Sequence, residues 1–414
     1  MRRAVEGNMM SVLTDCPSRE KLGWLEQDQL VFPALAANYD MQAHLRKIVR
    51  DMADAQTAEG LIPSTVPEYT SLPGAYRNDS NWGGAFVLVP WQLYTTYGDT
   101  DTLRTYYPRM RQYAAFLRTQ VADGILDYGL GDWFTPDRTF PRAVSGTYGY
   151  WRVVDALARI STVLGDNAAA ADYRTQADAA ARALAARYYD AATGTFAGGG
   201  QGAEALALDM GAYPEGQKDR LLAHFTAAVE TAGFHLLLGE ISLPAAFRVL
   251  SEAGRDDVVQ RIATRTTSPS YGYQVAAGNT TLGESWDGGP GQSQNHFMLG
   301  AIDSWFTSRI AGIAQTPGSV GYAELLIDPA VEGDLTSASG SYRTPYGLAR
   351  TDWARTDDRF RLTVEVPAGS TAEIHIPTGD GHATAPEGAR PVRATATEVV
   401  YAVGSGHWRF GSTL

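Results

Sequence analysis

Cysteine is nearly absent from this 414-residue chain. Cys16 stands alone, which excludes an intramolecular disulfide and a zinc site built from cysteines. A lone thiol suits a reducing compartment and is equally common in secreted bacterial enzymes, so it carries no weight on location. Histidine is scarce too. The seven histidines form no His-x-x-x-His pair, no carboxylate triad completes a site, and neither metal nor cofactor is expected. Basic residues are outnumbered: 34 Lys and Arg against 46 Asp and Glu leave a net charge of −12. With no basic stripe interleaved with aromatics, nucleic acid is excluded as a partner. No apolar run approaches the roughly 20 residues that cross a bilayer, and Ala85 to Val89 reads as buried helix. Met1 to Met10 hold two arginines but no long apolar stretch and no small-residue cleavage site. That is not a secretory signal, and a cytoplasmic location is the expectation. Gly198-Gly199-Gly200-Gln201-Gly202 lacks the following Lys-Ser or Lys-Thr of a phosphate loop. Cys16, followed by Pro17 and with no His nearby, is not read as a nucleophile.

Aromatic residues, by contrast, are abundant. Nine Trp and 21 Tyr occur, and many sit beside Gly, Asp or Asn rather than inside apolar stripes. Sugar rings stack an apolar face on aromatic rings and need polar side chains around their hydroxyl rims. The plainer reading is that these rings fill a large core.

The length suggests about two to three domains. Up to about residue 314 the periodicity is helical. Asp40 to Ala55 places Met41, Leu45, Ile48, Val49 and Met52 on one face, and Asn167 to Tyr188 is rich in helix-forming Ala. Further helices are expected over Arg2–Ser11, Glu26–Asn38, Trp82–Tyr97, Asp101–Val121, Thr147–Leu164, Gln201–Gly211, Gly216–Ala232, Glu240–Ala253, Asp256–Thr264 and Gln292–Ile313. Gly98-Asp99 and Gly165-Asp166 each supply a stop and the next start. No fixed-period repeat is visible, which disfavours a solenoid and favours a closed α/α barrel whose loops converge on a central pit. Long polar–aromatic loops over Gly60–Asn81, Ala122–Gly146 and Thr266–Gly291 are of the kind that carries function.

Beyond about residue 317 the character changes. Leu362 to Val366, Ala372 to Pro377, Glu398 to Val403 and His407 to Phe410 alternate or cluster apolar residues as strands do, separated by Gly-containing turns. The expected fold class is therefore mainly α: an (α/α)6 barrel over residues 1–316, then an antiparallel β-sandwich domain over 317–414.

Two loops concentrate reactive groups. Asp15-Cys16-Pro17-Ser18-Arg19-Glu20-Lys21-Leu22-Gly23-Trp24-Leu25-Glu26-Gln27-Asp28 packs carboxylates, cations and a Trp between helices. A merely solvated loop of ion pairs needs neither Trp24 nor Leu22. Gly283-Glu284-Ser285-Trp286-Asp287-Gly288-Gly289 sets an acid–Trp–acid cluster on a Gly-rich loop. Hydrolysis of a glycosidic bond requires two carboxyl groups: one protonates the leaving oxygen, the other activates water or attacks directly. Two acidic loops converging from opposite ends of a helical ring supply such a pair.

The string Thr14-Asp15-Cys16-Pro17-x-Arg19-Glu20-Lys21-Leu22-Gly23-Trp24 resembles the signature of the α-L-rhamnosidases of glycoside hydrolase family 78. The resemblance continues through Asn81-Trp82-Gly83-Gly84-Ala85, Gly131-Asp132-Trp133, Pro269-Ser270-Tyr271-Gly272-Tyr273, Glu284-Ser285-Trp286-Asp287 and Ser293-Gln294-Asn295-His296. It implies an inverting hydrolase that takes terminal α-L-rhamnose from a rhamnose-containing glycoside or oligosaccharide. Glu20 would be the general acid and Glu284 the general base. Asp15, Arg19, Glu26, Asp132 and His296 would bind sugar hydroxyls. Trp24, Trp82 and Trp133 would wall the C6 methyl, and Trp286 would also bind substrate. Inversion asks for carboxyl groups about 6.5–9.5 Å apart, leaving room for water.

The chain departs from the family pattern in places. Where many members carry an acid three residues after the motif Trp, Gln27 stands here, flanked by Glu26 and Asp28, and any of these is a candidate. Glu240 adds an acid to a loop usually uncharged and is a rival base. Only Met1–Met10 precede the region of the first motif, so the first barrel helix is expected to be short. Competing readings are an α/α-barrel glycosidase for a different sugar and a carbohydrate-binding remnant without turnover.

Overall fold

The computed structural model describes residues 1–289 and 291–414. The chain forms two compact units: Met1–Leu35, Met41–Gln92 and Thr100–Ile302 make one, and Ala36–Asp40, Leu93–Asp99 and Asp303–Leu414 the other.

Burial separates the first unit's helices into two kinds. Gln201–Met210 is buried on almost every side, and Arg142–Leu164 buries both Val153-Val154 and Ala156-Leu157-Ala158. Asn167–Tyr188 buries only the stripe Tyr173, Ala177, Ala180, Leu184, and Gln42–Ala55 only Leu45, Ile48, Val49, Met52 and Ala53. Fully buried helices thus alternate along the chain with striped ones, as inner and outer members of helical hairpins do. Arg142–Leu164 packs against Thr100–Arg118 and Asn167–Tyr188, while Gln201–Met210 packs against Lys218–Thr231 and Ser242–Glu252. The joints follow the capping chemistry. Gly165 ends one helix at φ 81°, and Asp166 starts the next by accepting from the Ala169 N–H at 3.1 Å.

Three expected helices differ. Glu26–Asn38 is broken into Glu26–Leu30 and Phe32–Asn38 beside Pro33, which lacks an N–H. Trp82–Tyr97 becomes Ser80–Gly83 and Ala85–Tyr97, parted at Gly84. Gln292–Ile313 is not one helix. Only short turns form, over Met298–Ala301, Ile302–Trp305 and Phe306–Ile310. The reason lies in the preceding polar residues. Glu284 N–H donates to the Ser293 carbonyl at 2.9 Å, His296 N–H to that of Leu282 at 2.9 Å, and the Ser293 hydroxyl to that of Asn295 at 3.0 Å. These bonds hold the backbone out of helical geometry. The first helix spans Arg2–Asn8.

A two-residue hairpin in the helical unit supplies β1 (Tyr189–Asp190) and β2 (Thr195–Phe196). The second unit holds β3 (Ile313–Gln315), β4 (Glu324–Ile327), β5 (Ser337–Thr344), β6 (Gly347–Arg355), β7 (Arg359–Val366), β8 (Thr371–Pro377), β9 (Ala383–Thr384), β10 (Arg390–Ala394), β11 (Glu398–Val403) and β12 (Gly406–Thr413). They form two five-stranded sheets, ordered β10-β11-β8-β4-β3 and β5-β6-β7-β12-β9, in which only the β4–β8 pairing is parallel. Strand β7 buries Phe360, Leu362, Val364 and Val366 and exposes the alternate residues, as the period of 2 requires. These side chains meet Ile374, Ile376 and Phe410 in one core with Trp353, whose ring N–H donates to the Ile310 carbonyl at 2.7 Å. This is the expected antiparallel-rich β domain.

Candidate active site

The segment after the first helix is fixed by backbone pairing. Leu25 N–H donates to the Ser64 carbonyl at 3.0 Å and Val66 N–H to the Gly23 carbonyl at 2.9 Å. Gly23 is required there, because a Cβ would stand 2.5 Å from the Val66 carbonyl oxygen. This pairing turns Asp15, Arg19, Glu20, Trp24 and Glu26 toward one cavity. The opposite loop is held from below by Gln274, whose carboxamide accepts from the Gly283 N–H and donates to the Ser285 carbonyl, both at 3.0 Å. Glu284 therefore enters the same cavity from the far side of the sequence.

The cavity measures about 200 Å³. Asp15, Arg19, Glu20, Glu26, Glu284 and His296 supply its polar lining, and Trp24, Tyr76, Trp82, Leu130, Trp133 and Met298 its apolar wall. Tyr76 meets Trp133 edge-on at 5.9 Å. Arg19 ties the two glutamates together: one guanidinium nitrogen lies 2.8 Å from Glu284 Oε1 and 3.4 Å from Glu20 Oε1. Those two oxygens are thus no more than about 6 Å apart, closer than the separation expected for an inverting pair, because Arg19 draws both carboxylates onto one nitrogen. Glu284 is the better fixed, since its Oε2 accepts from the Ser293 N–H at 2.8 Å and its side chain is only 6% exposed against 32% for Glu20. Arg19 holds its proton more firmly than a free guanidinium through its bond to Glu284.

Burial governs the remaining charges. Asp15 is pushed up to about 8, first by burial and then by its bond to Glu20 and the charge there. Burial likewise raises Glu26, with the charges of Asp15, Asp28 and Asp79 adding to it. His296 is lowered to about 4 by burial and is neutral at neutral pH. Met298 N–H donates to His296 Nδ1 at 3.4 Å, which puts the ring proton on Nε2, 3.8 Å from Asp15 Oδ2. Asp15 Oδ1 and Glu26 Oε2 are buried with no hydrogen-bond partner.

Two expected sugar contacts are placed elsewhere. Asp132 does not line this cavity. Its buried carboxylate accepts from the N–H groups of Gly239 (2.8 Å), Ile241 (3.0 Å) and Ser242 (3.1 Å) and from the Ser242 hydroxyl (2.6 Å). It is satisfied by the start of the Ser242–Glu252 helix and positions the neighbouring Trp133. Trp286 is buried against Tyr271, and its ring N–H donates to the Leu238 carbonyl at 2.8 Å. Both residues line a second, outer groove of about 850 Å³. Among the three candidates after Trp24, only Glu26 reaches the cavity; the Gln27 carboxamide donates to the Leu13 carbonyl instead. The rival acid Glu240 is fully buried and does not line the cavity. Tyr76, Leu130 and Met298 were not singled out from sequence, though Tyr76 and Leu130 fall within the long loops read as functional.

Two groups of side chains bring metal-type ligand atoms within 4.8 Å of one another among the described residues: Asp15, Cys16 and Glu20, and Asp328, His375 and Glu398. In the second group Asp328 pairs with Arg309 at 2.6 Å and Glu398 with Arg393 at 2.6 Å, so its carboxylates already have cations.

Hairpins of inner and outer helices followed by an antiparallel-rich β domain, with carboxyl groups facing one aromatic-walled cavity, define a six-hairpin glycosidase architecture. The bacterial alpha-L-rhamnosidase 6 hairpin glycosidase domain matches residues 1–310, and the bacterial alpha-L-rhamnosidase C-terminal domain matches residues 312–389. The chain belongs to this bacterial α-L-rhamnosidase family. It is 33% identical over 417 aligned residues to an α-L-rhamnosidase of Streptomyces avermitilis, covering 98% of this chain and 40% of that protein. The crystal structure of the Streptomyces avermitilis α-L-rhamnosidase complexed with L-rhamnose superposes with a TM-score of 0.92 at 31% identity, over 99% of this chain and 40% of that one. The α-L-rhamnosidase from Dictyoglumus thermophilum gives 0.91 at 28% identity, over 99% and 48%. The chain thus spans about two fifths of the length of the curated relatives it matches.

Proposed function

We propose that this chain carries the catalytic site of a glycoside hydrolase that removes terminal α-L-rhamnose from glycosides or oligosaccharides with inversion of the anomeric carbon. The observation that carries the reading is the convergence of Glu20 and Glu284 on one guanidinium at a cavity walled by Trp24, Trp82 and Trp133. Membership of the rhamnosidase family and the L-rhamnose bound to the Streptomyces avermitilis relative support the choice of sugar.

In this mechanism Glu20 delivers a proton to the glycosidic oxygen as that bond breaks. Glu284, held by the Ser293 N–H, takes a proton from the water that attacks the opposite face. Glu20 is the more exposed of the two and can reload its proton from solvent. Asp15 and Glu26 hold buried oxygens without partners. Leaving such groups unsatisfied costs about 1–3 kcal/mol each, and sugar hydroxyls would satisfy them. Neutral His296 presents Nε2–H as a donor. The indole rings would cover the C6 methyl, which a hexose bearing a 6-hydroxyl would replace with a polar group against an apolar wall.

The test is turnover of p-nitrophenyl α-L-rhamnopyranoside beside a panel of other aryl glycosides. Release confined to the rhamnoside is expected. Release from a different glycoside would point to another sugar, and rhamnose binding without release would point to a binding remnant.

A further inference from the structure

The inner cavity is the size of a single sugar ring, yet it is not the largest concavity beside the carboxylates. Leu130 and Trp133 wall both the cavity and the outer groove, so the two share a boundary. At about 850 Å³ against about 200 Å³, the groove is roughly four times larger. It meets the cavity at Arg19, whose other nitrogen lies 3.5 Å from the Gln292 Oε1 on the groove's wall. Arg19 also touches Glu20, so the groove begins beside the group assigned to protonate the leaving oxygen.

Its lining is amphipathic. Trp133 and Phe134 meet at 5.6 Å with their planes 89° apart, forming a corner rather than a parallel slot. A flat polycyclic group stacks in a slot. A saccharide offers one apolar face and a rim of hydroxyls, which suits a corner with polar groups around it. Those groups are Asp137, Arg138, Asp287 and Gln292. Arg138 is exposed and forms no ion pair with a described residue. Asp287 is held by the Ser285 hydroxyl at 2.6 Å and Asp137 by the Thr139 hydroxyl at 2.7 Å, so both carboxylates are oriented. Three carboxylates, those of Asp132, Asp137 and Asp287, against the one guanidinium of Arg138, in a chain of net charge −12, make the groove a poor place for an anion.

We propose that this groove is a leaving-group site for a neutral glycosyl chain of at least two sugar units, stacked on Trp133 and Phe134 and hydrogen-bonded by Arg138 and Gln292. The inference rests on the rhamnosidase reading of the inner cavity. It makes the chain a better enzyme for rhamnose at the end of a neutral oligosaccharide than for rhamnose on a small aryl group.

The experiment compares kcat/KM for a rhamnosyl-capped neutral trisaccharide with that for p-nitrophenyl α-L-rhamnopyranoside, in the full chain and in Phe134→Ala and Arg138→Ala. The readout is the ratio of the two constants, which a general loss of folding or of catalytic geometry leaves unchanged. The ratio is expected to fall about tenfold in Phe134→Ala and about threefold in Arg138→Ala. An analogue with a uronic acid next to rhamnose should be a poorer substrate than its neutral counterpart. A ratio unmoved within twofold in both variants, or a preference for the uronate, overturns the proposal while leaving the rhamnosidase reading standing. A parent chain that hydrolyses neither substrate overturns both.

Discussion

The two units treat buried polar groups in opposite ways. Among the described residues, every buried side-chain oxygen or nitrogen without a hydrogen-bond partner belongs to the helical unit, with Asp15, Glu26, Asp28 and Glu240 prominent. The β unit settles its titratable groups among themselves. His375 bridges Glu398 and Glu373 through its two ring nitrogens, each at 2.8 Å, and Arg393 and Arg309 pair with Glu398 and Asp328. A fold that only needs stability satisfies its polar atoms. The orphaned oxygens of Asp15 and Glu26 line the cavity, where the hydroxyls of the proposed sugar would satisfy them.

The largest effect that sharpens this contrast is expected at Glu284. Glu284→Gln should lower kcat on every substrate by about 10³-fold or more, since no other cavity carboxylate is so fixed by the opposite loop. Glu20→Gln should cost about 10²–10³-fold on a natural disaccharide but within about tenfold on an activated aryl rhamnoside, which needs little proton assistance. Full activity of Glu20→Gln on the disaccharide would remove it as the acid.

Next comes a stability effect of the opposite sign. Asp15 keeps its proton to about pH 8 in the fold, against an ordinary value of 3.8. The unfolded chain ionises first, so the ligand-free protein should lose stability as pH rises from about 4 to about 8. Asp15→Asn should flatten that slope, leaving the part due to Glu26 and the other buried carboxyls, and stabilise the chain by on the order of 1–2 kcal/mol at neutral pH, while cutting activity. Thermal melts across pH would check it; a less stable variant at pH 7 would contradict the argument. The β unit should lose stability with rising pH as well, at a smaller amplitude, but there the loss is of a favourable ion pair rather than the cost of charging a buried acid. Burial works against charge on His375, but its bonds to Glu373 and Glu398 outweigh it and raise its pKa above 6.5. That contribution is present below 6.5 and lost as pH climbs through the higher folded value. His375→Gln should therefore cost about 1 kcal/mol at pH 6 and close to nothing at pH 9. Equal loss at both values would mean the ring acts by packing alone.

The same contrast explains what the sequence disclosed. Glu20 and Glu284 stand in dense strings of acids, glycines and Trp, and local density is visible without a fold. Asn167–Tyr188 was legible with both its ends, because the helix propensity of an Ala-rich run is a local property. What escaped depends on distant partners. The choice of Glu26 over Gln27 and Asp28 is made by which side chain faces the cavity across from Glu284. Asp132 reads like a sugar ligand until the start of a helix more than a hundred residues later is found to claim its carboxylate. The segment 292–313 looks helical by its apolar residues, yet Ser293 and Asn295 bond to each other, and the Ser293 carbonyl and His296 N–H pair with Glu284 and Leu282 of the preceding loop, which prevents it. Strand β5 was missed because Ser337–Thr344 is mostly small and polar and shows its alternation only through Tyr342 and Thr344.

The most direct test follows the product. Proton NMR of p-nitrophenyl α-L-rhamnopyranoside hydrolysis should show the β-anomer of rhamnose first, with the α-anomer growing in only by mutarotation, and neither signal in Glu284→Gln. Appearance of the α-anomer first, or undiminished release in Glu284→Gln, would contradict the assignment of Glu284 as the base that activates water across from Glu20.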